Sequence, residues 1–227
     1  MHINYEEKGQ GEAILLVHGW GGNINSLKQL ASQIPNNFRA ITIDLPGFGK
    51  SDLPGHDWGI EEFGYCLVGF LKTLHIEKVI YFGHSFGGSL GIYLAANYPK
   101  LISKLILCAP SYKREVIKSK GLLTRLPQPL RIILYRIFFP HSDLWRFPHL
   151  ESNFRKIVQQ DLIVFLPKIK AKTLILWGEA DRETLIDQST LLHKKIPNSI
   201  LKTFPNIGHN LPLKYPELVY QELKKFL

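Results

Sequence analysis

A regular alternation of short apolar runs with amphipathic helical stretches constrains this chain more than any other feature of its sequence. The runs are "AILLVH" (13–18), "FRAITID" (38–44), "KVIYFG" (78–83), "KLILCA" (104–109), "TLILWG" (173–178) and "SILKTF" (199–204). Several are continuously apolar rather than alternating, the pattern of strands covered on both faces. Helical periodicity fills the intervals at about 24–34, 60–75, 86–98, 184–195 and 215–226. Pro99, Pro197 and Pro216 fall at the expected helix ends or starts. Strands alternating with helices predict an α/β fold: a mostly parallel, doubly wound sheet with helices on both faces and right-handed crossovers. With 227 residues, 45% of them hydrophobic, the chain suits one domain, residues 1–227, with a sizeable core.

One interval breaks the rhythm. From Ser111 to about Lys170 no strand pattern appears, although Leu, Ile, Phe and Arg are plentiful. "LLTRLPQPLRIILYRIFF" and "SNFRKIVQQDLIVFL" read as short helices interrupted by Pro127, Pro129, Pro140 and Pro148. So long an excursion between two core strands exceeds an ordinary loop. Residues 111–170 therefore read as a helical insertion over one end of the sheet, with ordinary crossover helices as the alternative.

The formal charge is +9, and much of the excess sits in this interval. Lys113, Arg114, Lys118, Lys120, Arg125, Arg131 and Arg136 face a single acid, Glu115. A solvated helix face accounts for such a run. An anionic membrane surface or an acidic substrate is the alternative partner. No zinc-finger or RRM signature supports a nucleic-acid partner. "MHINYEEKGQGE" lacks the basic and apolar regions of a secretory signal, and "IILYRIFF" (132–139) is too short to span a bilayer. Cys66 and Cys108 read as buried free thiols, so a cytoplasmic setting is expected.

Gly83-His84-Ser85-Phe86-Gly87 lies between a strand pattern and a helix pattern. Turning sharply from strand to helix strains the backbone at the serine, and small neighbours let the chain pass closely on either side. The hydroxyl then projects above the strand end, and the Phe86 N–H points to where an oxyanion would form. A serine needs a base. His209, in "FPNIGHNLPLKYPELV", follows the last strand pattern and is the best placed of nine histidines. His75 and His193 belong to helices, and His141 and His149 to the insertion. The base needs an orienting carboxylate. Asp181, in "TLILWGEADRETL", lies directly after a strand, with Glu179 and Asp187 as competitors. A second oxyanion donor is expected from the Trp20 N–H in "VHGWGGN" (17–23), where His18 reads as a structural hydrogen-bonding residue. "DLPGFGKSD" (44–52) has neither Walker nor G-x-G-x-x-G spacing, so it reads as a structured turn held by Asp44 and Ser51. No residue group has metal-ligand spacing. Neither cofactor nor metal is expected.

Together, H-G-W-G-G, D-L-P-G-F-G-K-S, G-H-S-F-G-G, W-G-E-A-D and G-H, in this order from about residue 11 to 227, resemble the α/β-hydrolase superfamily. The resemblance implies Ser85 as nucleophile, His209 as general base, Asp181 as orienting acid, the Trp20 and Phe86 amides as oxyanion hole, and residues 111–170 as the variable cap. Serine at the elbow, where haloalkane dehalogenases and epoxide hydrolases of this fold carry aspartate, argues against those chemistries. Only "HINYEE" precedes the first glycine turn, so the first edge strand common in the family is expected to be absent. The expected activity is cofactor-free hydrolysis of a small-molecule carboxylic ester through an acyl-enzyme. Leu122, Leu123, Leu126, Ile132, Ile133, Leu134, Phe138 and Phe139 suggest an apolar acyl group of small to medium size. Two rivals remain: other triad chemistry on the same fold (C–C hydrolase, lyase or acyltransferase), and a slow-turnover small-molecule receptor.

Overall fold

The computed structural model describes residues 1–113, 126, 127, 130, 133, 134 and 146–227. Seven strands share one sheet: β1 (Tyr5–Lys8), β2 (Glu12–Val17), β3 (Phe38–Ile43), β4 (Val79–His84), β5 (Ile102–Cys108), β6 (Lys172–Gly178) and β7 (Ser199–Phe204). Their spatial order is β1-β3-β2-β4-β5-β6-β7. All neighbours run parallel except β1, which pairs antiparallel with β3. The helices are α1 (Asn25–Gln33), α2 (Ile60–Thr73), α3 (Phe86–Asn97), α4 (Glu151–Gln159), α5 (Ile186–Lys195), α6 (Leu211–Lys214) and α7 (Pro216–Phe226). None among the described residues is long and apolar enough to cross a membrane.

The strand order explains where a site can form. From β2 the chain steps outward to β3, then returns to the other side of β2 to lay down β4. The direction of winding reverses there, so the loops leaving β2 and β4 diverge and leave a crevice at the carboxyl ends of the strands.

Both sheet faces are covered, which is why the strands read as continuous apolar runs. Leu15, Val17, Tyr81, Leu105, Leu107, Ile175 and Trp177 pack into one cluster with α2 and α3. Ile14, Leu16, Ile80, Phe82, Ile106, Leu174 and Leu176 point to the opposite face and meet Leu27 and Leu30 of α1 with Val219 and Leu223 of α7. The period of two along each strand sends successive side chains to opposite cores.

The expected elements lie within about two residues of the observed ones. Two offsets have visible causes. Helix α2 stops at Thr73 rather than 75 because His75 adopts φ 55°, outside the helical region. Helix α5 starts at Ile186 rather than 184 because Leu185 is extended, with φ −67° and ψ 147°, so the helical run cannot include it.

The expected absence of a first edge strand is wrong. Tyr5 to Lys8 pair with Ile43 to Ala40 in β1. "YEEK" hides this because three of its four residues are exposed and contribute no apolar signal. Its backbone pairs with β3, while Arg39 of β3 reaches Glu7 at 2.8 Å. Cys108 is buried and free as expected, but Cys66 is only half-buried.

Of the insertion at 111–170, the structure describes a 3-10 turn (Pro148–Leu150), α4 and a second 3-10 turn (Ile163–Lys168). Helix α4 docks on the start of α2. Lys156 pairs with Glu62 at 2.9 Å, and the Ile60 N–H donates to Gln160 Oε1 at 2.8 Å. Most of the basic run (Arg114, Lys118, Lys120, Arg125, Arg131, Arg136), His141, and Leu122, Leu123, Ile132, Phe138 and Phe139 lie outside the described residues.

Candidate active site

Ser85 caps the junction of β4 and α3 with φ 50° and ψ −114°. A left-handed φ at a non-glycine residue is strained and persists only where surrounding bonds over-determine it. Here the Ser85 N–H donates to Cys108 O at 3.0 Å, and its carbonyl accepts from Ser89 N at 3.1 Å. The Tyr81 hydroxyl donates to Gly87 O at 2.8 Å, bracing the turn from below. The glycines are steric requirements. A Cβ on Gly83 would strike the Gly87 carbonyl, and one on Gly87 would strike the carbonyl of Val17 in β2. Ser85 itself remains half-buried.

The loop leaving β2 lies against this turn. A Cβ on Gly19 would stand 3.0 Å from Ser85 Cβ and 3.2 Å from His84 Nδ1, tighter than an ordinary contact, so the glycine lets the loop pass close to the elbow. Trp20 follows directly. The Phe86 N–H belongs to the first turn of α3, whose amides have no intrahelical partner. The two candidate oxyanion donors thus belong to the residue after Ser85 and to the residue after the glycine that packs on it. His18 fixes the base of the loop. Its Nδ1–H donates to Gly19 O at 2.7 Å and its Nε2 accepts from Leu45 N at 2.9 Å, which defines one neutral tautomer. Burial lowers its pKa to about 4, so it is structural. Asp44 ties the same region together, accepting from Ile24 N, Lys50 N and Asn4 Nδ2. Ser51 donates to the Asp44 carbonyl, so the "DLPGFGKSD" loop is the structured turn its composition suggests.

Asp181 and His209 approach from the loops after β6 and β7. The strands bring those loops together: Glu179 N donates to Phe204 O and Ala180 N to Ile207 O, each at 2.9 Å. His209 Nδ1 then meets Asp181 Oδ2 at 2.8 Å, with both side chains almost wholly buried. The carboxylate is fully engaged. Oδ1 accepts from Glu183 N at 2.8 Å and Thr184 N at 3.0 Å, and Oδ2 also accepts from Thr184 Oγ1 at 2.8 Å. Burial by itself would raise the Asp181 pKa, but the bonds from His209 and Thr184 outweigh it and hold the value below the ordinary one. An ionised acceptor at Nδ1 keeps the Nδ1–H tautomer and leaves Nε2 with a lone pair, the form a general base needs. Glu179 is engaged with Thr203 instead, and Asp187 opens α5.

Two participants escaped the sequence reading. His84, beside Ser85, sends Nε2 to the carbonyl of His209 at 2.9 Å and thereby clamps the histidine loop to the elbow. Burial, followed by the neighbouring His209, lowers its pKa to about 3, so it stays a neutral donor. Glu183, an exposed side chain, places Oε2 3.6 Å from His209 Nε2. Position in the Gly-His-Ser motif was the only signal for His84, and being the next acid after Asp181 the only one for Glu183. His75, His149 and His193 are exposed.

A family model described as the α/β hydrolase fold matches residues 12–123. A 2-hydroxy-6-oxo-6-phenylhexa-2,4-dienoate hydrolase of Burkholderia cepacia is 30% identical over 92% of this chain and 84% of its own length. A 2-hydroxy-6-oxononadienedioate/2-hydroxy-6-oxononatrienedioate hydrolase of Comamonas testosteroni is equally similar, 30% identical over 92% and 84%. Among solved structures, an enol-lactonase from Burkholderia xenovorans superposes with a TM-score of 0.82 at 20% identity, covering 99% of this chain and 95% of that one. An esterase from Thermogutta terrifontis gives 0.80 at 23% identity, covering 99% and 92%.

Proposed function

The chain belongs to the α/β-hydrolase family and is a hydrolase, and from that premise we propose that it cleaves a small to medium carboxylic ester with an apolar acyl group. The observation that carries this reading is the strained Ser85 elbow standing at the same sheet edge as a buried Asp181–His209 pair. In this mechanism His209 Nε2 takes the Ser85 proton as Oγ attacks the carbonyl. The Trp20 and Phe86 amides receive the developing oxyanion, an interaction worth about 3–4 kcal/mol per donor in a well-measured case. Collapse expels the alcohol, which takes the proton from His209. Water, activated by His209, then releases the acid. Asp181 holds the ring and stabilises the imidazolium. Rings of Trp20, Phe48, Phe86, Phe147 and Phe154 stack edge to face beside the elbow and give the acyl group an apolar wall. We read residues 111–170 as the cap over this site, and the whole chain as one domain.

The relatives' names support a second reading. A 2-hydroxy-6-oxo dienoate contains no ester, so its hydrolysis must break a carbon–carbon bond beside the ketone. The same serine and oxyanion site could receive that ketone. Fluorophosphonate labelling of wild type, Ser85→Ala and His209→Ala tests the shared machinery. Labelling lost in both folded variants supports it, and labelling that persists in Ser85→Ala refutes it. Turnover of p-nitrophenyl esters set against a 6-phenyl dienoate then separates the two readings by their kcat/KM.

A further inference from the structure

We propose that the Trp20 side chain is a substrate-binding donor: its indole N–H takes a neutral oxygen acceptor, a ketone or ether, carried by the acyl portion of the substrate. The proposal rests on the reading of Ser85 as nucleophile and concerns what the same site selects.

Among the described residues, Trp20 Nε1 is a buried side-chain polar atom with no hydrogen-bond partner. Such a group costs free energy relative to a paired one, and native structures seldom leave one without a reason. The buried indole of Trp177, by contrast, donates to Thr184 O at 2.9 Å. Around Trp20 stand Phe48, Phe86 and Phe154, with ring centroids 5.0, 5.5 and 5.2 Å away. A phenyl ring offers an N–H at most a weak contact with its face. The unpartnered donor also sits beside the candidate chemistry. Trp20 follows Gly19, which packs against Ser85, and Phe86 follows Ser85 in the chain.

The surroundings restrict what could pair with it. Among the described residues, the rings around Trp20 would strip the hydration of a carboxylate while the indole returns a single bond, a net cost. A ketone or ether oxygen loses far less and regains one bond. Of these three rings, one can give way to an acceptor. Phe48 and Phe86 are buried and locked against further aromatics, His18 and Phe147 for Phe48, Phe63 for Phe86. Phe154 is only half-buried and lies on α4, outside the sheet, so it is the ring with room to turn.

The test compares p-nitrophenyl 5-phenylpentanoate with its 5-oxo and 4-oxo counterparts, which differ by one carbonyl, in wild type and Trp20→Phe. In wild type, kcat/KM for the better keto ester should exceed that for the parent by about fivefold, the size of one net hydrogen bond. In Trp20→Phe the ratio should fall to about one, whatever loss the two substrates share. Equal ratios in both proteins overturn the proposal while leaving the serine mechanism intact. If neither protein hydrolyses any ester, the esterase reading fails and a binding measurement decides the matter. In Ser85→Ala, the Trp20 indole proton, assigned through the backbone by triple-resonance NMR, should move downfield with a methyl keto ester and not with methyl 5-phenylpentanoate. No such movement overturns the proposal.

Discussion

Acidification from pH 7 to pH 5 should cost this protein a large part of its stability, through two histidines that have no chemical step to perform. His18 and His84 are buried, and burial lowers their pKa values from 6.5 to about 4 and about 3. Below pH 6.5 the unfolded chain binds a proton at each ring while the folded chain does not, so stability falls as pH falls. The full contribution is present above about 6.5 and is lost progressively toward the folded-state values. One pH unit in this regime costs about 1.4 kcal/mol per group. From 6.5 to 5 that is about 2 kcal/mol for each histidine and about 4 kcal/mol for the pair, set against the 5–15 kcal/mol typical of a folded domain. Asp181 has the opposite chemistry but a separate window. Its lowered pKa contributes stability above the unfolded carboxylate value of about 4 and loses it only below that. Urea unfolding at pH 7 and pH 5, followed by far-UV circular dichroism, measures the difference, and NMR titration of the imidazole signals assigns it. An unfolding midpoint that does not move between pH 7 and 5, or His18 and His84 titrating near 6.5 in the folded protein, would refute the reasoning.

Further outcomes follow from the site geometry. Asp181→Asn exchanges a four-bond acceptor for an amide that no longer enforces the Nδ1–H tautomer of His209. Ester turnover should drop by about four orders of magnitude, and a loss under tenfold in a folded variant would dismiss the pair. Gly19→Ala places a methyl 3.0 Å from Ser85 Cβ. It should depress kcat with little change in circular dichroism, whereas wild-type kinetics would show that the loop can retreat. Gly87→Ala drives a methyl into the Val17 carbonyl between α3 and β2. A loss of about 1–3 kcal/mol is expected from such overpacking, and an unchanged thermal midpoint would mean that the elbow relaxes freely.

Legibility in the sequence followed the range of the forces involved. Strands β2, β4, β5 and β6 could be read because both faces are buried, which forces nearly every position to be apolar. The Gly-His-Ser-Phe-Gly elbow could be read because Gly83 and Gly87 constrain each other only four residues apart. Strand β1 could not, since exposed "YEEK" is held by the backbone of β3 more than thirty residues away. Helix α4 was legible as a helix, but its seat on α2 depends on Lys156 and Gln160 meeting partners some hundred residues distant.

The same division runs through the site. By itself the sequence determined the alternation of strands and helices, the sharp turn at Ser85 and the glycine loop after β2. Each follows from sterics and burial within a few consecutive residues. Only the tertiary structure bonded Asp181 to His209 while engaging Glu179 with Thr203, set His84 as the clamp on the His209 loop, brought Glu183 toward Nε2, and left the Trp20 indole without a partner among the described residues. Those outcomes depend on which loops the parallel sheet delivers to one edge. A hydrogen bond between residues 28 or 125 positions apart leaves no periodic trace in either segment.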